Sequence, residues 1–291
     1  MSKPLDDLVD LLSLEQLEED LFRGRSLDLG FYRLFGGQAL GQSVSAATQT
    51  VDPRRSVHSV HGYFLRAGDA NLPIVYQVER QRDGGSFSSR RVTAIQKGAP
   101  IFSCSVSFHG VEEGFHHQPS MPQGIPEPEG LVSEQEMARK YVHLMPESMR
   151  ESYLAERAVE IRHVDRIDPL DPKPREPVKY LWFRANGSLP DNPELHKYLL
   201  AYASDFNLLV TSLLPHAVSV HQPTMQCASI DHAIWFHSDL RMDDWLLYAM
   251  DSPWAGNARG FSRGSIFNRA GQLVASVAQE GLIRHREQRK K

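Results

Sequence analysis

Apolar positions along the chain follow two periods, and the switch from one to the other happens twice. Between Asn192 and Leu214, the residues Leu195, Tyr198, Leu199, Tyr202, Phe206, Leu209 and Leu213 recur at three- and four-residue steps, which predicts one long helix. Asn192 suits the N-cap, and Pro193 suits the first helical position, where its missing N–H costs nothing. Leu200, Ala201, Ala203, Leu208 and Val210 fill the other faces, so other structure must wrap this helix. An earlier helix of small residues opens at Phe35-Gly36-Gly37-Gln38 and continues through Ala47. Its glycines cost helix propensity, and close approach of another backbone is the better explanation for them. Gly36 to Gly41 lacks the Lys-Ser/Thr of a phosphate loop. Ahead of it, Leu5 to Glu19 predict one or two short amphipathic helices and Leu21 to Leu27 a strand.

Alternating patterns follow each of the two main helices. Val57–Arg66, Ile74–Gln81, Ser86–Gln96 and Ile101–Phe108 predict strands separated by Gly68-Asp69, Asp83-Gly84-Gly85 and Lys97-Gly98. After the second helix come Cys227–His237, Trp245–Asp251, Ala258–Phe267 and Leu273–Glu280. His61 and His232 align at an offset of 171 residues, as do Phe64 with Trp235 and Arg66 with His237; Gly98 with Gly271 and Ser103 with Ser276 align at 173. One helix followed by about four strands therefore occurs twice, and a period this long means domain duplication. Gly110 to Gly130, rich in Pro, Gly and Glu, reads as a linker. Ser133 with Glu136 predicts a capping box for a helix reaching about Met145, where Pro146 interrupts it. Ala158–Asp165 and Val178–Ala185 predict strands leading into the second half. The expected organisation is a first repeat over 1–112, a linker with one helix over 113–155, and a second repeat over 156–291.

Composition narrows the function classes without choosing one. Of the 291 residues, 41% are hydrophobic and 23% charged, as in ordinary soluble globular chains. A net charge of −4 supplies no basic field for nucleic acid, and the basic end Arg284, Arg286, Arg289, Lys290 and Lys291 reads as a solvated tail. Cys104 and Cys227 support neither a disulfide framework nor a zinc site. The first residues carry acids where a secretory signal needs an apolar run, and no segment reaches transmembrane length. The Arg-Lys-Lys ending is not the Ser-Lys-Leu peroxisomal address, so a cytoplasmic protein is expected.

Candidate chemistry is sparse. Gly260-Phe261-Ser262-Arg263-Gly264 matches a nucleophile elbow by letter, but Ser262 sits in a predicted strand and no Asp follows it. Thirteen histidines include no H-E-x-x-H, and His58 and His61, three apart on a strand, are expected on opposite faces. No metal is expected. Asp205 is the one carboxylate in the middle of the apolar helix, either functional or facing a polar gap or subunit seam. Ser229 begins an apolar strand. Gln279 ends one, where the first repeat has Val106.

The motifs Leu21–Gly24, Phe35–Gln38, His58–Arg66 and Ser86–Val92 resemble those of the acyl-CoA thioesterase II family. So do Arg184–Ser188, Tyr202–Asp205, Ile230–His232, Trp235–His237 and Gln279–Gly281, and the similarity spans nearly the whole chain. The resemblance implies an α+β double hotdog: two tandem repeats of a long central helix wrapped by a curved antiparallel sheet, the two sheets joined side by side. It implies hydrolysis of medium- to long-chain acyl-CoA without cofactor, and self-association into a homo-oligomer. The family's catalytic Asp, Thr or Ser, and Gln fall by motif on Asp205, Ser229 and Gln279. Asp205 is then expected to take a proton from water that Ser229 and Gln279 direct, with helix-start amides such as those near Gly36-Gly37 steadying the oxyanion. Attack by Asp205 itself to give an anhydride is a variant. An enoyl-CoA hydratase on this fold needs a His about five residues after its Asp, whereas the next here is His216. A non-catalytic acyl-CoA-binding module is the third reading.

Overall fold

A computed structural model describes residues 2–30, 33–144, 147–165 and 171–286. The expected helix end at Met145-Pro146 and the tail residues Arg289, Lys290 and Lys291 lie outside these. The first half contains α1 (Lys3–Leu12), β1 (Glu15–Glu18), β2 (Leu21–Gly24), α2 (Gly36–Thr48), β3 (Ser56–Phe64), β4 (Ile74–Asp83), β5 (Phe87–Gln96) and β6 (Ala99–His109). Two helices, α3 (Glu134–Tyr141) and α4 (Glu147–Leu154), lie between the halves. The second half contains β7 (Val159–His163), β8 (Val178–Ala185), α5 (Pro193–Ala203), β9 (Met225–Ser229), β10 (Asp231–Phe236), β11 (Leu246–Gly256), β12 (Arg259–Asn268) and β13 (Leu273–His285).

All the strands join one antiparallel sheet in the order β1-β2-β4-β5-β6-β3-β10-β13-β12-β11-β8-β7, with β9 paired to β13. The halves meet where β3 pairs with β10, and the register carries the mark of duplication. Tyr63 faces Asp231 and Val60 faces Ile234, so the sequence offset of 171 maps one pair onto the other. This is the expected double hotdog.

The glycine spacing in α2 sets how its helix meets α5. A Cβ on Gly37 would stand far inside contact distance of the Tyr202 carbonyl, and one on Gly41 would lie 3.0 Å from the Tyr198 carbonyl. Two glycines one turn apart thus let α5 pass antiparallel against α2, backbone to backbone, as the small-residue pattern predicts. Both helices lie in one core with Leu40, Val44, Leu199 and Leu200, all buried. The linker has its own task. Met121, Ile125 and Leu131 pack over Trp182, Trp245, Leu247 and Phe267 on the outer face of the second half. The Trp182 indole N–H donates to the Pro126 carbonyl (2.9 Å), and Arg269 pairs with Glu127 and Glu129. The capping box at Ser133 and Glu136 is formed.

Among the described residues the linker carries two helices, α3 and α4, where one is expected, and four further expectations need correction. Only Lys3–Leu12 is helical at the N-terminus, because Glu15–Glu18 pairs with Phe22 and its neighbours as a strand. The helix from Asn192 stops at Ala203 and resumes as a 3-10 helix over Leu209–His216. Asn207, at φ 66°, takes the left-handed conformation that asparagine tolerates, and the turn it makes ends the α-helix. The strand expected over Cys227–His237 is two strands, β9 and β10. Between Ser229, which faces Gly281, and Ala233, which faces Ala278, the chain holds one more residue than its partner, a β-bulge. The Asp231 carboxylate accepts the Glu280 N–H at 2.7 Å within this bulge. Finally, β13 continues to His285, so Gln279 lies inside a strand.

Candidate active site

Asp205 sits in the turn that breaks the predicted helix, with its side chain 7% exposed. The turn is anchored from three sides. The Tyr248 hydroxyl donates to the Ser204 carbonyl (2.9 Å), the Lys179 ammonium donates to the Asn207 side-chain oxygen (2.5 Å), and Phe206 stacks on Phe35. The Asp205 carboxylate thereby reaches the start of α2, in the other repeat. Gly37 N–H donates to its Oδ2 at 2.9 Å, and a helix N-terminus favours negative charge. A Cβ on Gly36 would stand 2.8 Å from the same oxygen, so glycine is needed for this approach. The Gln279 amide donates to Oδ1 at 2.7 Å. Both carboxylate oxygens are therefore oriented, each with further lone-pair capacity.

Of the three residues singled out from the sequence, the structure joins two. Ser229 faces Gly281 across the β9–β13 ladder, and directly opposed residues share a face, as do positions two apart. Ser229 thus lies on the inner face with Gln279, but no hydrogen bond among the described residues links it to Asp205 or Gln279. Of the expected Gly36-Gly37 amides, Gly37 N–H is engaged by Asp205 and so does not stand ready for an oxyanion; the next amide, Gln38 N–H, donates to the Phe35 carbonyl.

Sequence reasoning missed His232. It is fully buried, its Nδ1 lies 3.0 Å from the Gln279 amide nitrogen and 3.9 Å from Asp205 Oδ1, and its Nε2 lies 2.9 Å from Ser204 Oγ. Burial lowers its pKa, Asp205 opposing, so the neutral ring is favoured. The available signal was the alternation of β10, which puts His232, Ile234 and Phe236 on the inner face. The other histidine expectation also needs correction. A bulge between Val57 and Ser59 leaves His58 bonded to Ser107 on the outer face, where His61 stacks edge-on against Trp235. Even so, among the described residues no group of three His, Cys, Asp or Glu is placed to hold a metal ion. Ser262 is buried in β12 opposite Gln279, in a strand as expected and not in an elbow.

The chain's relatives match this architecture. A family model described as acyl-CoA thioesterase covers residues 148–282, and one described as acyl-CoA thioesterase N-terminal domain covers 26–109. Acyl-CoA thioesterase 2 of Haemophilus influenzae is 42% identical, over 99% of this chain and all of that one. The chain belongs to the acyl-CoA thioesterase family. The crystal structure of an acyl-CoA thioesterase II, TesB2, from Mycobacterium marinum is similar at a TM-score of 0.77 and 43% identity, covering 95% of this chain and 97% of that one. A hot dog fold protein from Alicyclobacillus acidocaldarius, 16% identical, matches in fold at a TM-score of 0.75 over 99% of this chain and all of that one. No helix among the described residues is long and apolar enough to cross a membrane.

Lys179 gives this candidate site a titration of its own. Burial lowers its pKa from 10.5 to about 8, opposed by the charges of Glu134 and Asp165. Between pH 8 and 10.5 the unfolded chain holds a proton that the native lysine has shed, so this group's contribution to stability rises with pH there. Over that window wild type is expected to gain about 3 kcal/mol relative to Lys179→Met. Denaturant unfolding of both proteins at several pH values checks this, and parallel curves would show that Lys179 does not titrate there.

Proposed function

We propose that this chain hydrolyses fatty acyl-CoA to free acid and CoA, with Asp205 as general base toward a water directed by Gln279 and Ser229. The observation that carries this reading is the carboxylate itself. It is almost fully buried, held by one amide from each repeat, in a chain of the thioesterase family. Asp205 takes one proton as the water oxygen bonds to the thioester carbon. Collapse of the tetrahedral species breaks the carbon–sulfur bond, and the proton leaves with the CoA sulfur. A thioester is electrophilic enough for a positioned water, so no cofactor enters. The Gln279 Oε1 is buried without a hydrogen-bond partner among the described residues, and it supplies an acceptor for the water's second proton.

Both ring nitrogens of His232 are occupied by Gln279 and Ser204, which argues against a hydratase built on an Asp–His pair. The surroundings of the Asp205 turn are apolar, with Val159, Leu181, Phe183, Phe206 and Tyr248 packed together there, a chemistry compatible with an acyl chain. Preference for medium to long chains, the repeat boundaries at 112 and 156, a cytoplasmic location and assembly into a homo-oligomer belong to the same proposal. Purified full-length protein is expected to release free thiol from palmitoyl-CoA and hexanoyl-CoA. Tight binding of both without thiol release would support a binding module instead.

A further inference from the structure

Three groups stand near the site without a role in the mechanism above: the Lys179–Asn207 pair, the unbonded Ser262 hydroxyl and His232. His232 carries an argument furthest, because its hydrogen bonds determine one another. Ser204 Oγ donates its single proton to the Ala201 carbonyl at 3.0 Å. It must therefore accept from His232, which places the ring proton on Nε2 and leaves Nδ1 as a bare acceptor. Nδ1 in turn accepts one proton of the Gln279 amide, and the other goes to Asp205. With both amide protons used inward, Gln279 Oε1 is left as the unbonded acceptor.

Resting on the reading of Asp205 and Gln279 given above, we infer that His232 is a positioning residue for hydrolysis. Its bare Nδ1 locks the Gln279 amide in the one orientation that presents Oε1 to water. The lock matters once Asp205 has taken the water's proton. An ionised Asp205 by itself disfavours a flipped amide, because Oε1 would face a carboxylate oxygen. A protonated Asp205 is a donor and would attract Oε1, so the flip becomes favourable from that side. His232 Nδ1 opposes it throughout, since a flip would set oxygen against a nitrogen lone pair. The bulge at Ile230–His232 belongs to the same device. One extra residue lets Ser229 and His232, three apart in sequence, both face inward.

Side-chain geometry supplies the test. Asparagine can set an acceptor where Nδ1 stands, whereas glutamine reaches the Nε2 position and can satisfy Ser204 only. His232→Leu and His232→Gln are each expected to lower kcat about 10- to 100-fold with KM within about 2-fold, the scale seen when a group orienting a reactive residue is removed. His232→Asn should recover kcat to within about 5-fold of wild type. In a Gln279→Ala background, His232→Leu should add no further loss, because the group it orients is gone. Equal losses in the Asn and Gln variants, or a full additional loss in the Gln279→Ala background, would make His232 a packing residue and overturn the inference. Wild-type kcat in a folded His232→Leu protein would do the same. Full activity in Asp205→Asn and Gln279→Ala would instead overturn the underlying mechanism, so the two failures are distinguishable.

Discussion

Asp205→Asn is expected to lower kcat for acyl-CoA hydrolysis by about two orders of magnitude or more, the scale of lost general-base catalysis. The substitution nearly preserves shape, so the Phe206 stacking and the turn at Asn207 have no steric reason to change. What changes is chemistry. An amide cannot take up the water's proton, and its NH2 must face either Gly37 N–H or the Gln279 amide, both donors. That donor-to-donor contact is expected to destabilise the protein by about 1–3 kcal/mol, the cost of a buried polar group left unsatisfied. Steady-state thiol release, with circular dichroism to verify folding, reads both effects. Wild-type turnover in a folded variant would remove Asp205 from the mechanism.

Gly37→Ala is the second large effect, and it acts through the helix contact. The new methyl would overlap the Tyr202 carbonyl, and neither partner is a flexible side-chain end that can swing away. The α2 and α5 backbones must separate, at a cost of about 1–3 kcal/mol or more for overpacking a tight contact. Separation also moves Gly37 N–H away from Asp205, so activity should fall well beyond the loss of folded protein. Gly41→Ala, where the methyl would lie 3.0 Å from the Tyr198 carbonyl, is expected to be milder on stability and nearly silent on kcat. Thermal unfolding and kcat measured on the three proteins check this order. A Gly37→Ala protein as stable and as active as wild type would mean that the close approach is not needed.

The elements legible in the sequence were those with one uninterrupted period and a chemical stop. Asn192 caps α5 through its side chain, which accepts the Glu194 and Leu195 N–H groups, and Val178–Ala185 forms β8 over the predicted span. Two breaks were not legible because apolar spacing continues across them. Leu209 and Leu213 keep helical steps after Asp205, and only tertiary bonds from Lys179 and Tyr248 mark the turn between. The bulge at Ile230–His232 is likewise hidden, since alternation resumes on its far side. The same limits apply to the site. Asp205 and Gln279 stood out because each is a polar residue in an apolar context, and the fold brings them to 2.7 Å. The sequence points Gly37 to close helix packing and to an oxyanion rather than to Asp205, and His232 is a packing residue along its own strand. Their proximity to Asp205 exists only once α2 meets α5 and β10 pairs with β13.

A single turnover in heavy-oxygen water tests the central claim most directly, with enzyme in excess over palmitoyl-CoA and both products analysed by mass spectrometry. Water activation by Asp205 predicts one heavy oxygen in the released fatty acid and none in the peptide carrying Asp205. Heavy oxygen in the Asp205 carboxylate, with unlabelled fatty acid from the first turnover, would mean that Asp205 attacks the thioester itself and that water enters only to cleave an anhydride.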